Sequence, residues 1–284
     1  MSDALYDTHA HLVSNDHARY PPAPLKGQLR PGDLDNPMTA ERLLREMDAS
    51  NVEKAVVVQR AHVYGYDNSY VVDSAARYSD RLRAVVVIDA LAADAAGAVR
   101  RWVGDGGARG VRLTEPHKGA DTAWFASSAA GEVWAETTRF GGSICLQMYR
   151  WNRDDCLAAV PRVLEAFPQT RVAIEHVSNL LEASPTPEMA IDPPLRALAA
   201  YPNASFKLTT INLARMARDG VPAPPLLNAL VSVFGAERLM WGSDVAQSPQ
   251  GYEEMTALGR AALRALEPDQ WRRVASATAS RLYH

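Results

Sequence analysis

The chain has 284 residues, a formal net charge of −3, 47% hydrophobic residues and 22% charged residues. This length is sufficient for one large α/β barrel, so we expect a single domain over residues 1–284. The weak negative charge excludes a general basic field for nucleic acid, and no apolar run reaches the roughly 18 residues of a membrane span. The N-terminus has no basic segment followed by an apolar one, so we expect a cytoplasmic protein with neither nucleic-acid nor membrane partners.

Short β-branched runs alternate with alanine- and leucine-rich segments of helical period, a pattern typical of βα units on a parallel sheet. The runs 55–58 and 84–88 are continuously apolar, as strands buried on both faces are. We predict an α/β fold, a (β/α)8 TIM barrel, because eight such strands follow one another; an open doubly wound sheet is the alternative, but no Gly-rich phosphate-binding segment follows the first strand. The predicted strands are 4–9, 54–59, 82–88, 108–113, 143–147, 171–176, 204–209 and 238–244.

The segments between the strands contain helices and one unusual loop. Apolar periodicity predicts helices over 68–78 and 94–103. Residues 12–38, the first strand-to-helix connection, contain five prolines and almost no periodicity. Long loops are uncommon unless they are functional, and in this fold they extend over the catalytic mouth, so we interpret this one as a partial lid; a surface loop without function is the alternative. Cys145 and Cys156 lack the spacing of a zinc site or a disulfide framework, and we expect both in the core.

The residues that could carry chemistry lie at predicted strand ends, where TIM barrels place their active sites. His9 and His11 are two residues apart at the end of the first strand and should project to the same side. The sixth strand ends in His176 and the eighth in Asp244. Each residue alone is also compatible with a turn, a helix cap or a core position. Together they predict a site for one divalent metal ion, with His9, His11, His176 and Asp244 as ligands.

Basic residues occur near the same strand ends. Guanidinium groups bind carboxylates through two parallel hydrogen bonds, so this pattern favours a small substrate that carries a carboxylate. A surface or interface salt bridge is the alternative for each arginine, including Arg60 after the second strand. Aromatic and amide side chains at these ends are predicted to line the pocket as well. The predicted substrate-binding residues are Arg112, Tyr64, Gln147, Arg150 and Lys207.

These motifs resemble the metal-dependent amidohydrolase superfamily, and in particular its amidohydrolase-related branch, also called amidohydrolase 2. Members of that branch open with DxHxH, as at 7–11, and close with WGSD, as at 241–244. The ending at 279–283 is similar to the NAxRLY ending of the branch. Segments 62–68 and 107–113 resemble more narrowly the subgroup of sugar lactonases and 2-pyrone-4,6-dicarboxylate lactonase. The resemblance covers essentially the whole chain.

The resemblance implies a hydrolase that opens a lactone, a cyclic ester, in catabolism, with one divalent ion and Zn²⁺ as the expected metal. Asp244 would accept the proton of the attacking water, and His176 would orient or polarise the carbonyl. Gln147 and Arg112 stand where richer metal sites have a histidine and a carbamylated lysine, so at most one ion is expected. Metal-free catalysis, with the histidines supplying electrostatic stabilisation, is an alternative within the subgroup.

Two other functions stay open on sequence grounds. A nonoxidative decarboxylase of an aromatic or muconate-type acid would use the same metal, His176, Asp244 and carboxylate-binding residues. A binding protein that keeps the barrel without catalysis is the second alternative. Apolar residues in the last helices are compatible with a homodimer.

Overall fold

The structure, a computed structural model, describes residues 4–25, 27–179 and 190–284. Residues 1–3, part of the N-terminus from which a cytoplasmic location is predicted, lie outside these ranges, as does Lys26 of the first loop. Eight parallel strands form one sheet in sequence order, which confirms the predicted (β/α)8 TIM barrel. The strands are Leu5–His11 (β1), Val52–Val58 (β2), Leu82–Val87 (β3), Gly110–Thr114 (β4), Ser143–Gln147 (β5), Arg171–Ile174 (β6), Ala204–Thr209 (β7) and Leu239–Gly242 (β8).

The barrel closes where β1 meets the end of β8. The amide of Asp244 donates to the carbonyl of His9 at 2.6 Å, and the amide of His11 donates to the carbonyl of Val245 at 3.2 Å. Because these bonds lie at the carboxyl ends of the strands, closure itself brings the first and last predicted site residues together.

Helices cover the outside of the barrel. The segment predicted as a helix over 94–103 begins as an α-helix and continues as a π-helix. None of the helices in the described ranges combines the length and the apolar character that a membrane span requires. The α-helices of those ranges are Ala40–Ala49, Ala61–Tyr64, Ser69–Arg77, Ala95–Val99, Ala123–Ala126, Ser128–Arg139, Arg153–Ala166, Pro193–Ala197, Thr210–Arg218, Ala223–Phe234, Tyr252–Leu263, Pro268–Arg272 and Thr278–Leu282, and the π-helices are Arg100–Asp105 and Arg273–Ala277.

The core has two layers because strand side chains alternate between the two faces of the sheet. Val57 packs in the layer between the sheet and the helices, whereas Val56 and Val58 pack in a separate cluster inside the barrel. That inner cluster includes Tyr283, which follows the last helix, so the C-terminus fills the amino-terminal end of the barrel. Both cysteines are buried and free, which confirms the prediction that they are core residues.

The first loop is fixed to the segment that follows β2. The amides of Ala23 and Leu25 donate to the carbonyls of Val63 and Ala61 at 2.8 and 3.0 Å. Gly65 has a φ of +55°, and a Cβ there would lie 2.5 Å from the carbonyl oxygen of Ala23. Only glycine fits this close approach. The position of the first loop beside the barrel mouth therefore depends on Gly65 in the segment after β2 as well as on the loop itself.

Candidate active site

His9, His11 and Asp244 converge at the carboxyl end of the barrel. The Nε2 atom of His9 lies 3.4 Å from Asp244 Oδ1, and the Nε2 atom of His11 lies 3.3 Å from the same oxygen. All three residues are buried. The register between β1 and β2 shifts between Asp7 and Ala10, a bulge of the kind found beside active sites.

The surroundings of the two histidines differ. His11 Nδ1 lies 2.8 Å from the carbonyl oxygen of Val58, which can only accept, so Nδ1 carries a proton and Nε2 is the nitrogen that faces Asp244. Burial, reinforced by the positive charge of Lys207, lowers the pKa of His9 well below its ordinary value. His9 is therefore neutral at pH 7. Within the described residues neither of its ring nitrogens has a hydrogen-bond partner, and Asp244 Oδ2 has none either.

This arrangement fits a divalent cation. Nε2 of His9, Nε2 of His11 and the carboxylate of Asp244 face one another here, and imidazole nitrogens and carboxylate oxygens are ligands that a divalent ion such as Zn²⁺ prefers. Ligand atoms about 2.1 Å from a tetrahedral ion are about 3.4 Å apart, which matches the measured separations. One ligand atom from each of His9, His11 and Asp244 lies within 4.8 Å of the others. These three residues could therefore hold one ion.

His176 lies in a left-handed turn. β6 ends at Ile174, and the four residues from His176 to Asn179 have φ values between 44° and 55°. Such a backbone is strained, most of all for the β-branched Val177, and strain of this kind clusters at functional sites. Hydrogen bonds hold the turn: Arg153 Nε donates to the carbonyl of Ser178 at 2.7 Å. The sequence pattern placed His176 in a strand because nothing in it signals this conformation.

The ring orientation of His176 is also fixed. Its Nδ1 lies 2.7 Å from Thr209 Oγ1, and the Thr209 hydroxyl donates to Asn212 Oδ1 at 3.3 Å. Thr209 therefore accepts from His176, and His176 Nε2 carries a lone pair. Burial lowers the pKa of His176, although Asp244 and Glu175 oppose the shift. His176 is thus a neutral hydrogen-bond acceptor at the cavity wall.

Below the histidines lies a buried charge cluster centred on Glu175. Arg112 Nε donates to Glu175 Oε2 at 2.6 Å, and Lys207 Nζ donates to Glu175 Oε1 at 3.4 Å. The same Oε1 lies 3.4 Å from His9 Nδ1. Burial alone would raise the pKa of Glu175, but Arg112 and Lys207 lower it to about 2. The carboxylate therefore stays charged, holds the guanidinium of Arg112 and lies beside the ring of His9.

This cluster bears on a second metal ion. His9, Glu175 and His176 form another group with ligand-type atoms close together. Glu175 is already paired with two cations, so a further positive charge there would be repelled. The charge balance agrees with the expectation of at most one ion.

Above the cluster a cavity of about 160 Å³ opens between the strand ends. This is smaller than the cavities of about 300 Å³ or more that hold drug-sized ligands, so it fits a compact ring. Of the predicted substrate-binding residues, Arg112 and Gln147 lie in its wall. Gln147 Oε1 accepts from the Thr114 hydroxyl at 3.0 Å, so the oxygen of this amide is turned toward β4.

Three other predicted substrate-binding residues do not lie in the cavity wall. Tyr64 is buried under the first loop, where its hydroxyl accepts from the amide of Ser14 at 2.8 Å, because its short helix turns it away from the mouth. Lys207 is fully buried below Glu175, since its position on β7 faces a lower layer of the barrel interior. Arg150 is exposed after β5. The structure thus corrects the expectation that these side chains line the pocket.

Several wall residues were not assigned from the sequence. Glu115, Arg215 and His62 all line the cavity. Glu115 is buried and accepts from the amide of Gly119 and the indole of Trp151. It directly follows β4, so the same strand-end rule that found Arg112 could have found it. Arg215 lies on the helix after β7, where no sequence signal marked it.

Gly242 on β8 makes a testable contribution to this geometry. A Cβ at Gly242 would lie 2.7 Å from His9 Cβ, so we expect Gly242→Ala to displace His9 and to lower zinc affinity and turnover about a hundredfold. A competition titration against a chromogenic chelator measures the affinity. Gly251→Ala is the matched control, because nothing lies within 4 Å of its added Cβ. Equal zinc affinity in the two variants would contradict the prediction.

The barrel and the buried histidine–aspartate cluster at its carboxyl end together define the class: a TIM barrel with a candidate active site at the strand ends. A family model described as amidohydrolase matches residues 6–284, and the chain belongs to this family.

The chain is similar to several characterised or solved proteins. It is 28% identical over 251 residues to an L-fucono-1,5-lactonase of Burkholderia ambifaria, covering 84% of this chain and 79% of the relative. An amidohydrolase from Burkholderia multivorans with bound zinc has the same fold, with 20% identity, a TM-score of 0.74 and 99% of each chain covered. A probable 2-pyrone-4,6-dicarboxylic acid hydrolase from Acinetobacter baumannii follows, with 16% identity, a TM-score of 0.72 and coverage of 100% and 99%. Decarboxylases of aromatic acids also share the fold, at 14% identity or less.

Proposed function

We propose that this protein hydrolyses the ester bond of a small lactone, with Asp244 as general base. The observation that carries the proposal is the convergence of His9, His11 and Asp244 at the base of a small cavity lined by N–H donors. The similarity to an L-fucono-1,5-lactonase supports a lactone as the substrate. The zinc in the Burkholderia multivorans structure supports one divalent ion as the cofactor.

Three residues have a proposed role at the metal ion, and Asp244 has a second role in proton transfer. The Nε2 atoms of His9 and His11 and the carboxylate of Asp244 would hold the ion. When bound, such an ion polarises a carbonyl and lowers the pKa of water from about 15.7 toward about 7. Asp244 Oδ2, which accepts no hydrogen bond from any described residue, accepts the proton of the attacking water and delivers it to the leaving alkoxide oxygen.

Two further wall residues orient the substrate. His176 presents a lone pair, so it accepts a hydrogen bond from the attacking water or from a substrate hydroxyl rather than donating to the carbonyl. The sequence predicted that His176 would orient or polarise the carbonyl, and the proposal assigns it the orienting role. Arg112 uses Nε for Glu175 and lines the cavity, and in this proposal its other N–H groups donate to the carbonyl oxygen as negative charge develops there.

A substrate panel tests the proposal against both alternatives. We expect purified protein to release acid from at least one lactone, followed with a pH indicator, and no CO₂ from hydroxybenzoates or muconate-type acids. CO₂ release without lactone opening would assign the decarboxylase function, and inactivity on both panels would favour a binding protein.

Removal of the metal tests the cofactor. We expect a chelator to abolish lactone opening and added Zn²⁺ to restore it, with elemental analysis giving one ion per chain. Full activity in a sample free of metal would leave Asp244 and the histidines to act alone and would contradict this part of the proposal.

A further inference from the structure

The first loop supplies a carboxylate to a cation of the cavity wall. Arg60, which follows β2 and lines the cavity, donates through Nη2 to Asp33 Oδ1 at 2.7 Å. Both side chains are more than nine-tenths buried. The other oxygen of Asp33 accepts from the amide of Arg30 at 2.8 Å, which fixes the carboxylate in place.

We propose that Asp33 is a specificity-determining residue: by occupying Arg60 it selects lactones with neutral hydroxyl substituents and excludes those with a carboxylate at this position. The proposal rests on lactone hydrolysis for its activity measurements. The sequence predicted a substrate with a carboxylate because basic residues lie near the strand ends. Two of these residues, Arg60 and Arg112, already have carboxylate partners in the structure, so the proposal favours a neutral substituent instead.

The charges around the cavity support the proposal. Of the arginines that line the cavity, Arg60 is paired with Asp33 and Arg112 with Glu175, while Arg215 lies on the helix after β7. Glu115 adds a buried carboxylate to the wall, and it forms no ion pair with any residue in the described ranges. A substrate carboxylate beside Arg60 would meet the negative charge of Asp33 in a poorly solvated site, where like charges repel strongly.

Neutral oxygen atoms meet no such repulsion. A guanidinium has five N–H donors, and Arg60 uses Nη2 for Asp33 while its Nε donates to no residue in the part of the chain that the structure describes. Arg60 therefore still has N–H groups that can donate, while the carboxylate of Asp33 balances its positive charge. A hydroxyl or ring oxygen of a substrate can accept from these N–H groups. Gln147 on β5 adds amide N–H groups of the same kind.

The test compares two lactones that differ in one group: an aldonolactone with a hydroxymethyl substituent and the aldarolactone with a carboxylate in its place. We expect wild-type protein to prefer the hydroxymethyl form. In Asp33→Asn the ratio of kcat/KM for the carboxylated to the neutral lactone should rise about tenfold or more, as expected when a charged hydrogen-bond partner becomes available. Asp35→Asn, an exposed change in the same loop, should leave the ratio unchanged.

A double variant assigns the gain to the right cation. Arg215 also lines the cavity, so Asp33→Asn combined with Arg60→Gln should lose the gain if it depends on Arg60. A gain that persists in the double variant overturns the proposal. An unchanged ratio in Asp33→Asn, or a wild-type preference for the carboxylated lactone, overturns it too.

Succinate binding, measured by calorimetry, tests Asp33 without turnover. We expect Asp33→Asn to bind succinate about tenfold more tightly than wild type or Asp35→Asn. If no lactone is turned over by wild type, the proposed function fails and this titration alone decides the role of Asp33. Equal succinate affinity in all three proteins overturns the proposal even where lactone hydrolysis is established.

Discussion

Asp244→Asn is expected to lower kcat for lactone opening about a thousandfold while leaving the protein folded. A positioned general base contributes about a hundredfold to ten-thousandfold, and the amide cannot accept the proton of water. The backbone of Asp244 has a φ of +60°, a conformation that asparagine tolerates well and alanine does not. Asn is therefore the substitution that tests the carboxylate rather than the turn.

The metal-free protein should give a second signature. Asp244 is a buried carboxylate whose Oδ2 accepts from no residue in the described ranges, which destabilises the metal-free fold, whereas the amide of Asn is uncharged. We therefore expect the Tm of metal-free Asp244→Asn to equal or exceed that of the metal-free parent, with weaker zinc binding. Such a gain in stability with a loss of activity is typical of active-site residues.

Asp154→Asn on the exposed surface of the helix after β5 is the control for Asp244→Asn, and it should change neither activity nor Tm. If Asp244→Asn retains more than about a tenth of the parental kcat, well above the loss expected for a general base, another group accepts the proton.

The fold could be predicted from the sequence because the pattern that specifies it is repeated along the chain. Eight β-branched runs with helical segments between them specify the same barrel many times over, and β5 and β7 have the predicted bounds. β6 and β8 were predicted to extend to His176 and Asp244, but each strand ends two residues before that residue. Both residues have positive φ values at the point where the chain leaves the sheet. No residue pattern in the sequence predicts a left-handed backbone conformation at a histidine.

The candidate site was accessible only in part. The strand-end rule brought His9, His11, His176 and Asp244 to one rim, and the structure places them there. The sequence could not predict how deep a side chain lies within the barrel. Lys207 and Arg112 both lie on strands, but they lie in different layers of the interior. Ion pairs such as the one between Asp33 and Arg60 join distant segments, so the sequence showed the cations without their partners.

Glu175→Gln is expected to have the largest effect on stability. Glu175 is fully buried and compensates the charges of Arg112 and Lys207, which are themselves buried. Removing one partner of a buried ion pair costs about 3–5 kcal/mol, because the remaining charge is left without compensation. For a chain of this size that corresponds to a fall in Tm on the order of 10 °C, measured by thermal unfolding of the metal-free protein.

Glu136→Gln separates this effect from the loss of any salt bridge. Glu136 also accepts from two arginines, Arg100 at 2.9 Å and Arg139 at 2.7 Å, but it lies at the protein surface, where water replaces the lost partner. Adding Lys207→Met to Glu175→Gln removes one uncompensated charge and should recover part of the lost Tm, a coupling that a double-mutant cycle measures. If Glu175→Gln and Glu136→Gln have equal Tm values, packing holds Arg112 and His9 in place. The position of the guanidinium below the cavity would then not depend on Glu175.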